Sequence, residues 1–154
     1  MDEVHRILNI RDRFWIDVFG REFPESEEFW DRNWLVVDLS AKDEVSTVRI
    51  HGPWLHTTEL QDLLGGVRDL LSKKSSRFDL QNMEPHIGLS FERTDELGHF
   101  EIQLSLQSEV SHRSTPDYSK SARTYDFGID QTDLQVLERQ LVSALEAYPV
   151  MGHR

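Results

Sequence analysis

Phe100-Glu101-Ile102-Gln103-Leu104-Ser105-Leu106-Gln107 alternates apolar and polar side chains without a break. Successive side chains of a strand point to opposite faces, so this run has one buried and one wet face. Half-wetted strands belong to antiparallel sheets, because parallel sheets are covered on both sides. Just upstream, Ile87, Leu89 and Phe91 alternate with Gly88, Ser90 and Glu92. Asp95-Glu96-Leu97-Gly98 between the two runs reads as a hairpin connection. Matching apolar to apolar sets Phe91 opposite Ile102 and Leu89 opposite Leu104. The same register sets Glu92 opposite Glu101 on the wet face.

Working outward, the same period marks strands at Phe14–Phe19, Trp34–Leu39, Val48–Leu55, Phe78–Leu80 (extending toward Met83) and Tyr125–Ile129. Gly52-Pro53 interrupts the third of these and predicts a bulge or an edge position. The period changes to 3.6 twice. Leu60, Leu63, Leu64, Val67, Leu70 and Leu71 form one apolar stripe, predicting a helix near 58–72. Thr58 and Gln61 have capping-box spacing at its start. Gly65-Gly66 inside the stripe costs up to about 1 kcal/mol per glycine relative to alanine, and close packing on a sheet would explain the pair. Leu134, Leu137, Leu141, Ala144, Leu145 and Tyr148 form a second stripe, predicting a helix near 132–147 that opens at Thr132 with Gln135 and is stopped by Pro149. The segment 20–32 reads as an acidic loop and 108–123 as a long polar connection, which favours disorder. The expectation is an α+β fold, a mostly antiparallel sheet covered by two amphipathic helices in the order β-β-β-α-β-β-β-β-α. The sequence shows no internal repeat and no linker, so residues 1–154 read as one domain.

Composition narrows the function classes. A chain of 154 residues with 38% hydrophobic and 29% charged residues can bury a core without staples. There is no cysteine, which removes disulfides, iron–sulfur clusters and thiolate zinc sites. The charged start Met1-Asp2-Glu3-Val4-His5-Arg6 is not followed by a signal-peptide core, and no run is apolar enough to span a bilayer. The expected location is the cytoplasm. The net charge of -11 repels nucleic acid and anionic lipid and attracts basic proteins, though it also serves solubility.

No constellation for catalysis stands out. There is no Gly-x-Ser-x-Gly elbow, no triad context for a serine and no phosphate-binding glycine loop. His51 and His56 flank Gly52-Pro53-Trp54, and strand periodicity sends them to opposite faces unless the bulge intervenes. A metal site needs three or four converging ligands, and none accompany them. The expectation is no enzyme activity, no metal and no cofactor.

Two acidic surfaces remain. Glu92 opposite Glu101 places like charges about 5 Å apart, a destabilising arrangement unless a nearby arginine such as Arg93 screens it. Residues 79–109 around that pair hold seven acids and one Lys or Arg, namely Arg93. The second surface is the loop carrying Glu22, Glu25, Glu27, Glu28 and Asp31, interleaved with Phe23, Phe29 and Trp30. Acids mixed with aromatics suit an interface with a basic protein, the rings burying area and the charges steering the encounter. The same pattern also fits aromatics folded back on the core under a solvated acidic coat.

Several segments resemble one known family. They are Gly20-Arg21-Glu22-Phe23-Pro24 followed by Asp31-Arg32-Asn33-Trp34-Leu35, and Gly52-Pro53-Trp54-Leu55 leading into Thr58-Glu59-Leu60. Glu84-Pro85-His86-Ile87 running on to Leu89-Ser90-Phe91-Glu92, and the closing helix with Tyr148-Pro149, complete the set. In this order they resemble the WapI-type immunity proteins of bacteria. The resemblance implies a cytosolic protein that neutralises a contact-dependent toxin, often a tRNA-cleaving nuclease, by direct binding. It carries over no toxin-contacting residue. The competing expectation is a non-enzymatic adaptor or regulatory module, which gene neighbourhood would separate from an immunity protein.

Overall fold

A computed structural model describes residues 3–83, 86–107 and 122–153. The Glu84-Pro85 pair and residues 108–121 of the polar connection expected at 108–123 lie outside them, while Ala122 and Arg123 belong to the last strand. Four strands, β1 (His5–Ile10), β2 (Phe14–Arg21), β3 (Trp34–Lys42) and β4 (Thr47–His56), pair in sequence order as one antiparallel sheet. One helical turn, α1 (Phe29–Arg32), interrupts the β2–β3 connection, and α2 (Thr57–Leu71) follows β4 directly. The second half repeats the scheme. β5 (Arg77–Leu80), β6 (Ile87–Arg93), β7 (His99–Gln107) and β8 (Ala122–Asp130) form a second antiparallel sheet, and α3 (Gln131–Ala147) follows β8 directly. Among the described residues the chain is thus a tandem of two four-strands-then-helix units, although its sequence shows no repeat.

The α+β reading holds, with additions. The strands divide into two sheets of four, and β1 and α1 are extra elements. β1 escaped the period-2 test because its register shifts between Arg6 and Leu8, leaving the consecutive residues Ile7 and Leu8 both buried. α1 is too short to show a helical stripe. Gly52-Pro53 does mark both a register shift, between Leu35 and Val37 of the facing strand, and the edge strand of its sheet.

Both long helices start earlier than their threonines suggested. α2 is capped by His56, with Glu59 reaching back to the His56 N–H at 2.9 Å, rather than by Thr58 with Gln61. α3 is capped by Asp130 reciprocally with Asp133, at 3.0 and 2.9 Å, rather than by Thr132 with Gln135. In each unit the last strand residue doubles as the cap, so no loop is needed.

The two helices pack on each other, α2 also against β5 and α3 also against β1. Their buried stripes, Leu60, Leu63, Leu64, Val67 and Leu70 facing Leu134, Leu137, Leu141 and Ala144, join the inner faces of both sheets in one core. Phe14, Phe91 and Phe100 are its largest fully buried rings. Burying a side chain of that size contributes on the order of 2–3 kcal/mol, which is why the strand residues that build this core are apolar.

Candidate protein-interaction surfaces

The hairpin register is as the alternation required. Phe91 faces Ile102, Leu89 faces Leu104 and Glu92 faces Glu101. The neighbouring strand changes the electrostatics. Arg77 of β5 lies opposite Glu92 and donates to its Oε2 at 2.7 Å, while holding Asp79 through Nε and Nη2 at 3.0 Å each. Arg93 is not the screening residue. It turns inward, donating to the Leu70 carbonyl at 2.6 Å with its guanidinium 4.7 Å from the Phe100 ring. The next row across the sheet is Asp79, Ser90, Gln103 and Asp126. That row and its neighbour Gly88, Ser105 and Thr124 floor a shallow open groove of about 400 Å³, to which Glu92 and Glu101 do not contribute. It is an acidic face of short polar side chains, and Glu92 already has its cation.

The loop surface is built differently. β2 ends with the Glu22 N–H on the Trp34 carbonyl at 2.9 Å, and the chain then turns into α1. Glu25, Glu27, Glu28 and Asp31 are exposed. Glu22 is half-buried, and desolvation pushes its carboxyl above its usual value, with Asp31 adding to the effect. The aromatics divide. Phe29 is half-buried, whereas Phe23 is 48% and Trp30 43% exposed. The Trp30 ring rests against His56 and Phe29, each with centroids 5.1 Å away. The ring is thus held against the protein while remaining partly exposed.

Beneath α1 lies a buried polar hub that sequence reading missed. The Asn33 side chain, fully buried, donates to the carbonyls of Phe29 (2.7 Å) and Met151 (3.0 Å). Its Oδ1 accepts from Thr57 Oγ1 (2.8 Å), the Met151 N–H (2.8 Å) and Arg21 Nη1 (3.3 Å). Beside it, buried His56 bonds the Trp30 carbonyl through Nε2 at 3.1 Å and Thr58 Oγ1 through Nδ1 at 2.7 Å. The tautomer that satisfies both carries its proton on Nε2. Glu59 extends the network, its carboxylate accepting from the N–H groups of His56 and Met83 and from Asn82 Nδ2. A histidine in the N-cap position is an uncommon choice, which hid the His56/Glu59 signal.

Burial pushes the Glu59 carboxyl above its ordinary value of 4.5, against the pull of those three donors, with Asp62 adding to the rise. The folded state therefore holds that proton more tightly than the unfolded chain. Its contribution to stability falls as pH rises from about 4.5 through the raised folded value. Glu59→Gln removes that slope but turns an amide N–H₂ toward donors, so it should cost about 1–3 kcal/mol. The cost should be largest at low pH and shrink as pH rises, in urea unfolding measured from pH 4 to 8. A penalty that grows with pH would contradict this.

The two histidines first weighed as ligands are separated. His51 is exposed on the outer face of the first sheet, bonded to Asp38 at 2.7 Å, while His56 is interior. Among the described residues no group of three or more potential ligands could hold a metal, and no helix is long and apolar enough to cross a membrane. The loop acids sit on the β2–β3 connection of the first sheet, and Glu92 with Glu101 on inner strands of the second. They are two surfaces on different elements.

Residues 6–149, nearly the whole chain, match the model of the Immunity protein WapI-like family. The chain belongs to the WapI-like immunity protein family. Membership supports an immunity role for this WapI-like protein and suggests a non-enzymatic one. No curated protein matches the chain. Among solved structures, one described as a guideRNA-binding protein complex bound to a gRNA covers 95% of this chain and 91% of its own, at 13% identity and a TM-score of 0.45. That likeness is too loose to transfer either fold or ligand.

Proposed function

We propose that this WapI-like protein neutralises a cognate secreted toxin in the cytoplasm by binding its nuclease domain directly. The observation that carries this is charge. An immunity-family chain with a net charge of -11 is complementary to a nuclease, which must present cations to a phosphate-rich substrate. The candidate contacts are Glu22, Glu25, Glu27, Glu28, Trp30 and Asp31 on the first surface, and Glu92 and Glu101 on the second.

Exposed charges act chiefly on the rate of encounter. Reversing Glu25, Glu27 and Glu28 to lysine, or Glu92 and Glu101 to lysine, should slow association of the cognate toxin by roughly tenfold at low salt and flatten its salt dependence. Stopped-flow association rates across a salt series are the check. Rates unchanged in both variants, or a sole partner that is neutral or acidic, would sink the electrostatic account.

A further inference from the structure

Large apolar side chains left exposed one at a time need no explanation, but a gathered group does. Val45 and Leu97 stand in strand-connecting turns, and Val4 near the chain start. Phe23, Trp30, Met83 and Met151 are different, at 48%, 43%, 44% and 37% exposure. They come from three distant stretches of chain, and the buried polar hub brings those stretches together. His56 bonds the Trp30 carbonyl on one side and reaches Glu59 on the other, and Glu59 holds the Met83 N–H at 3.1 Å. Asn33 ties the Phe29 carbonyl to both backbone groups of Met151. Trp30, Met83 and Met151 thus crown one polar network at the start of α2, and Phe23 stands on the loop that leads into α1.

We propose that the basic toxin domain seats on this composite surface, with Trp30, Phe23, Met83 and Met151 as its apolar anchors and the α1 carboxylates as its rim. The inference rests on the toxin-binding function proposed above and selects one of its two surfaces. Charge complementarity commits the occupant. Glu25, Glu27, Glu28 and Asp31 make no ion pair among the described residues, so the rim is open to a partner's cations. On the second sheet Glu92 is held by Arg77, and the outward rows across β5–β8 carry no large apolar side chain. Tight interfaces need a desolvated aromatic centre inside a polar rim, and of the two acidic surfaces among the described residues the α1 surface is the one that offers both. The hub fixes the backbone of Trp30, Met83 and Met151 before binding, which reduces the ordering cost. Methionine at two anchor positions suits a partner surface that varies, since its unbranched chain repacks readily.

The test is the dissociation rate of the cognate toxin domain from Trp30→Ala, Met83→Ala and Phe23→Ala, with thermal unfolding of each free variant alongside. Dissociation should speed up roughly thirtyfold for Trp30→Ala, the ratio expected of a hot-spot ring, and severalfold for Met83→Ala, at unchanged melting temperature. If Trp30→Ala also lowers the melting temperature, Met83→Ala and Phe23→Ala decide, because neither ring nor thioether supports the hub. Unchanged dissociation in Met83→Ala and Phe23→Ala, with binding lost in Glu101→Lys instead, would overturn the surface while leaving toxin binding intact. A wild-type chain that does not bind the toxin at all would overturn both.

Discussion

Asn33→Ala should lower stability by about 3 kcal/mol or more, the largest effect expected of any polar substitution in this protein. The side chain is fully buried and its amide is completely used. Removing it strands the Thr57 hydroxyl, the Phe29 carbonyl and both backbone groups of Met151. Each buried group left without a partner costs on the order of 1–3 kcal/mol, partly recovered where water can enter. Asn33→Asp should be no milder. It keeps the acceptor but turns an oxygen toward two carbonyls, and it buries a charge. Urea unfolding measures the loss, and amide exchange at Met151 should rise by orders of magnitude as the tail is released. A loss below 1 kcal/mol would mean that the hub does not hold α1 to the rest of the protein.

Adjacent glycines in α2 should respond with opposite signs. A Cβ at Gly65 would meet nothing within 4 Å, so Gly65→Ala gains helix propensity and should stabilise by up to about 1 kcal/mol. A Cβ at Gly66 would lie 2.3 Å from the Phe78 ring of β5. That ring must move, and overpacking of this kind costs about 1–3 kcal/mol before the propensity gain is subtracted. Gly66→Ala should therefore be destabilising despite the better helix former, and Gly66→Val more so. The difference between the two alanine variants should exceed 1 kcal/mol, read from the same urea transitions. Equal effects would mean that α2 does not approach β5 closely.

What sequence disclosed, and what it hid, follows from how local each signal is. The Phe100–Gln107 alternation and its partner run gave a register that holds residue for residue, because slipping by one would turn every apolar side chain outward. The two helical stripes were equally plain, and the close approach suspected at Gly65-Gly66 is real, but only at Gly66. Signals failed where geometry departs from a regular period or depends on distant chain. The bulge in β1 broke its alternation. Asp130 and Asp133 were legible as a cap in principle, but the threonine two residues later offered the same spacing. The topological repeat is invisible because a four-strand-and-helix unit constrains only apolar pattern, which unrelated residues satisfy. The hub could not be read at all. Asn33 meets Thr57 and Met151, which are 24 and 118 residues further along, and a polar residue after an acidic loop gives no sign of burial. Of the proposed contact residues, sequence located both acidic surfaces but could not see that Arg77 occupies Glu92, nor that Met83 and Met151 stand beside Trp30's network.

The direct-binding claim is tested most sharply by titrating this protein into the toxin nuclease domain that it is proposed to neutralise. Heat of binding and residual nuclease activity should be followed together at low and high salt. A one-to-one complex should form, nuclease activity should disappear in step with it, and affinity should weaken as salt rises. Protection without a complex, or a complex that leaves the nuclease fully active, would contradict neutralisation by direct binding.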